Sequence, residues 1–68
     1  MTYLISPVIN KRELKAKKVI GSKRAYKFLE SVLQQNDLQV EKIIKRNGSK
    51  EFVCSQFGTR IFVKKIQQ

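Results

Sequence analysis

The chain alternates between two hydrophobic rhythms. From Ser22 the apolar positions Ala25, Phe28, Leu29, Val32 and Leu33 recur at the i, i+3, i+4 spacing of one buried helical stripe. Glu30, Gln34 and Gln35 fall off that stripe, Ser22 after Gly21 reads as an N-cap, and Asn36-Asp37 reads as a stop. This spacing predicts a helix over 22–35. Three short runs rich in Val, Ile and Phe follow, at about 39–46, 50–57 and 60–66. Asn47-Gly48 between the first two reads as a two-residue type I′ turn, and Gly58-Thr59 between the last two as a type II′ turn.

If both turns hold two residues, the registers follow by counting. Ile43, Phe52, Cys54, Ile61 and Val63 then share a face with Glu41, Lys45, Lys50, Gln56 and Lys65. The other face carries Val40, Ile44, Val53, Phe57, Phe62 and Ile66, interleaved with Lys42, Arg46, Arg60 and Lys64. Neither face is purely polar, so both are covered or one is a binding surface. Phe57 and Phe62 among those cations would suit base stacking with phosphate neutralisation; as core beneath the helix they would have no such role.

The first twenty residues admit two readings. Asn10 with Glu13 resembles a capping box, and 11–18 has high helix propensity, which favours a helix over 11–19. Leu14, Ala16, Lys18 and Ile20 alternate instead like a strand, and Tyr3 to Ile5 reads as a short strand. The expected fold is therefore α+β. Helix 22–35 packs on a three-stranded antiparallel β-meander, with an N-terminal segment (short strand and/or helix 11–19) alongside. Residues 1–68 form one small basic domain.

Charge changes the picture most. Fifteen Lys and Arg against five Asp and Glu give a net charge of +10. That excess repels itself in a compact domain and is relieved by a polyanion. Lys11, Arg12, Lys15, Lys17, Lys18, Lys23, Arg24 and Lys27 crowd one stretch with only Glu13 against them. Lys23 and Arg24 stand out, because the first turn of a helix is already positive and favours acidic residues. Cations there fit a phosphate held in front of the free N–H groups; a helix beginning near residue 11 would make them ordinary mid-helix residues.

Catalytic equipment is sparse. There is no histidine, so the commonest general base and the usual Cys/His zinc sites are missing. Cys54, the one cysteine, allows no intrachain disulfide and reads as a small buried hydrophobe in a reducing compartment. The carboxylates Glu13, Glu30, Asp37, Glu41 and Glu51 are scattered, and no glycine belongs to a phosphate-cradling loop. No enzyme, cofactor or metal is implied. No segment is long and apolar enough to span a bilayer, and the broken run 3–9 resembles neither leader nor anchor, which points to the cytoplasm.

The helix, the Asn47-Gly48 turn and the run Ser55-Gln56-Phe57-Gly58 resemble bacterial Sm-like RNA chaperones in part. The turn-to-phenylalanine spacing is shorter, and two of that family's strands have no counterpart, so nothing is carried over.

The sequence thus points to a small non-enzymatic nucleic-acid-binding protein, DNA before RNA, acting mainly through phosphate contacts, of a size that fits a regulatory or accessory factor. Lys17, Lys18, Lys23, Arg24 and Lys27 form one expected patch; Arg46, Lys50 and Arg60 at the turns form another, with Phe57 and Phe62 for stacking. The alternative is a basic inhibitor or adaptor, of phage or mobile-element type, docked on an acidic protein surface. A thin core and two semi-apolar faces further imply a homodimer.

Overall fold

The computed structural model describes residues 1–66. Its elements are β1 (Thr2–Ile9), β2 (Arg12–Glu13), β3 (Lys17–Ile20), α1 (Ser22–Gln35), β4 (Val40–Arg46), β5 (Ser49–Cys54) and β6 (Arg60–Ile66). All strands join one antiparallel sheet in the order β2-β1-β6-β5-β4, with β3 also paired to β1.

This overturns the helix on a three-stranded meander. The meander exists, but it is half of a larger sheet, and α1 runs nearest to β1 and β3 while its buried side chains share a core with Phe52 of β5 and Ile61 of β6. No helix forms over 11–19, because that stretch has no apolar stripe to bury: Leu14 is 46% exposed and Ala16 is exposed too. Asn10 and Lys11 instead take positive φ (53° and 66°), the two-residue reversal that pairs Ile9 with Arg12. The alternating reading was nearer, although the residue of β3 that enters the core is Val19 and Ile20 is 67% exposed.

Pro7 explains why β1 was hard to see. Proline removes a ladder donor, so its place within a strand is restricted. Here it lies where β2 and β3 part company along β1. Its carbonyl accepts from the Leu14 amide (2.9 Å), and on its ring side it is buried opposite Ile61.

The helix has the expected bounds. Ala25, Leu29 and Val32 are its buried positions, and they close over Ile5, Val19, Phe52 and Ile61. Gly21, not Ser22, is the N-cap; it takes φ 95°, and its amide donates to the Met1 carbonyl (2.8 Å). Asp37 at φ 52° ends the helix, where the Leu38 amide reaches back to the Leu33 carbonyl (2.8 Å).

Both meander turns sit near their expected places with different geometry. Arg46 pairs with Ser49 as counted, but only Gly48 takes positive φ (77°), so the turn is not type I′. Gly58-Thr59 is not a two-residue turn: the Cys54 amide donates to the Thr59 carbonyl (3.1 Å), and residues 55–58 form the loop. Arg60 therefore pairs with Val53 rather than Phe57. The slip is four residues, an even number, so the strand residues keep their expected faces. Val40 is the exception, since an irregularity between Val40 and Lys42 sets it beside Cys54 on the helix side.

Candidate nucleic-acid interface

With α1 on one side, the registers define the opposite face of the sheet row by row. One row runs Lys18, Leu4, Lys64, Ser49, Arg46; the next Ser6, Phe62, Glu51, Ile44; the third Glu13, Val8, Arg60, Val53, Lys42. Five cations thus surround a half-buried strip of Leu4, Val8, Val53 and Phe62. No helix covers this face among the described residues.

Glu51 organises its centre. The carboxylate is 7% exposed and accepts one bond from Arg46 Nη1 (3.2 Å) and one from Arg60 Nη1 (3.1 Å). Each guanidinium has five N–H donors and uses one here, so both retain donors for an anion. One buried negative charge therefore orients two solvent-facing positive ones, a net +1 with fixed geometry.

The structure divides both expected patches. Arg46 and Arg60 converge, but Lys50 turns to the helix side, where its Nζ donates to Tyr26 Oη (3.1 Å). Lys18 joins the helix-free face, while Lys17 lies on the other side with its ammonium 4.7 Å from the Phe28 ring centre. Lys23, Arg24 and Lys27 stand exposed on α1, away from the sheet face. Lys23 and Arg24 do occupy the first turn, which has no acidic residue and no side-chain cap, so the unfavourable charge arrangement is present.

The two phenylalanines also separate. Phe62 is not core beneath the helix; it is half-buried on the helix-free face. Phe57 lies in the 55–58 loop rather than in a strand, is 79% exposed, and has Lys11 Nζ 4.5 Å above its ring. The Lys11 turn is fastened to this loop by the Lys11 amide on the Gly58 carbonyl (2.9 Å) and the Asn10 amide on Thr59 Oγ1 (3.2 Å).

Glu51 was outside the expected site, whereas Lys42 and Lys64 were expected beside Phe57 and Phe62 but not in the two phosphate patches. Strand parity already placed the two lysines with Arg46 and Arg60. Glu51 had no such signal for Arg60, since the expected turn set Arg60 opposite Phe57, and only the observed register brings the carboxylate between the two arginines. Cys54 is buried and free, and burial pushes its thiol pKa above the ordinary value. No helix among the described residues is long and apolar enough to cross a membrane. Comparison with protein-family models, curated proteins and solved structures finds no match to this chain.

Proposed function

We propose that this protein is a non-enzymatic nucleic-acid-binding domain whose interface is the helix-free sheet face. The observation that carries the reading is the arrangement of Lys18, Lys42, Arg46, Arg60 and Lys64 around Phe62, with the only buried carboxylate there held by two arginines. The cations neutralise phosphates, and the Phe62 ring offers a base a stacking surface. A broad sheet face does not enter a duplex groove as a helix does, so a single strand is the favoured form, DNA or RNA, in the cytoplasm.

The test compares charge-matched variants. Lys42→Gln with Lys64→Gln and Lys23→Gln with Arg24→Gln each remove two positive charges, one pair from the sheet face and one from the helix. Fluorescence anisotropy with a labelled single-stranded oligonucleotide across a salt series reads both. The face pair should lower the salt slope by about one to two and weaken binding strongly, with little effect from the helix pair. Equal losses from both pairs would show that only overall charge matters and would overturn the assignment.

A further inference from the structure

On the helix side, α1 covers β1 and β3 but leaves the β4–β5 hairpin end of the sheet uncovered, and a cleft of about 390 Å³ opens there. Its volume falls in the range of small-molecule sites. The cleft exists because small residues occur where large ones would fill it: Ser22 and Ala25 on the helix, Gly48 and Ser49 at the hairpin. Its walls are Tyr3, Tyr26, Leu29, Phe52 and Val63, three of them aromatic.

The polar rim has one sign. Lys45, Lys50 and Lys65 line the cleft together with Arg46, and none of its lining residues is acidic. Lys50 is fixed at the mouth by its bond to Tyr26 Oη, so an ammonium and an aromatic ring sit side by side. A purely apolar occupant would leave that rim uncompensated, and a second copy of this chain would bring its own cations against it. An aromatic occupant bearing a negative charge satisfies walls and rim at once.

We propose that this cleft is a second binding site, for an aromatic ring carrying an anionic group, the chemistry of a nucleoside monophosphate. The site shares Arg46 and Ser49 with the edge of the sheet face, but its walls and Lys45, Lys50 and Lys65 belong to the helix side.

The experiment is an amide-resolved NMR titration of the whole chain with AMP, and separately with adenosine and with inorganic phosphate. AMP should shift the amides of Ala25, Tyr26, Gly48 and Phe52 saturably, while adenosine and phosphate each bind at least tenfold more weakly. Lys50→Gln and Tyr26→Ser alter partly solvent-facing side chains, so the spectrum elsewhere should be retained; each should weaken AMP about tenfold. Phosphate binding as well as AMP would reduce the site to a lysine cluster and overturn the proposal. So would AMP shifts confined to Arg60, Phe62 and Lys64, or no saturable shift. An oligonucleotide that shifts those three amides while AMP shifts none in the cleft would sink this site and leave the sheet-face reading standing.

Discussion

Replacing Glu51 by Gln separates the structural and binding roles of the sheet-face centre. The substitution keeps the size and one acceptor oxygen but removes the charge that Arg46 and Arg60 both use. Their side chains are 60% and 49% exposed, so water resolvates them once the carboxylate is gone. Each pair is therefore worth little more than a surface ion pair, and the expected cost is about 1–2 kcal/mol in total. The converse change is harsher. Arg46→Gln with Arg60→Gln strands a carboxylate only 7% exposed without its partners, which costs about 3 kcal/mol or more. Urea unfolding should thus rank the arginine double variant below Glu51→Gln in stability. Binding should rank them the opposite way from wild type: Glu51→Gln adds one net positive charge to the face and should tighten a single-stranded oligonucleotide a few-fold with a steeper salt slope, while the arginine variant loosens it. If Glu51→Gln proves the costlier change, the arginines are not resolvated and the ion-pair reasoning is wrong. If it weakens binding with an unchanged slope, phosphates do not approach this face.

Four further outcomes are expected. Lys23→Glu with Arg24→Glu should raise the melting temperature, since it reverses two unfavourable charges in the first turn of α1; about 0.5–2 kcal/mol together amounts to several degrees, and a lower melting temperature would contradict it. Gly58→Ala should cost about 1–2 kcal/mol by urea unfolding, because Gly58 has φ 68° and a Cβ there would lie 2.6 Å from Lys11 Cγ and 3.1 Å from its amide; no loss would mean that the two turns separate freely. Cys54 should resist a thiol reagent until the protein unfolds. Because its folded pKa is raised, stability should hold below about pH 8.5 and fall as the pH climbs toward the folded value, whereas a rise in stability over that range would refute the sign. Homodimers joined through the uncovered sheet face would set Lys18, Lys42 and Lys64 against their copies, so sedimentation should show association strengthened by salt, opposite to nucleic-acid binding; a dimer weakened by salt would need another interface.

The helix was readable because Ala25, Leu29 and Val32 supply their own period, and Gly21 and Asp37, both at positive φ, mark its ends. Strand faces were readable for a similar reason, since parity survives a register error of four residues. The N-terminal half was not. Its pairing is decided by β6, at the far end of the chain, and Pro7 and the lysine-rich stretch 11–18 carry local preferences that tertiary pairing overrides. The candidate site was legible as charge but not as place. Lys17 and Lys18, adjacent in sequence, face opposite ways across β3, and Arg46 and Arg60 meet only because Glu51 stands between them.

The pairing of β1 with β6 has a consequence for how the molecule comes into being. Thr2 lies beside Ile66 and Ile5 beside Val63, and the largest fully buried side chains among the described residues, Ile5 and Ile61, belong one to each of these strands. A chain emerging from a ribosome can form α1 and the β4–β5 hairpin early, from neighbouring residues. It cannot close its core until β6 has been made, and that contact carries the entropy cost of closing a loop over the intervening chain. Folding should accordingly be slow for so short a domain, and during synthesis β1 waits with its apolar residues exposed until β6 has been translated.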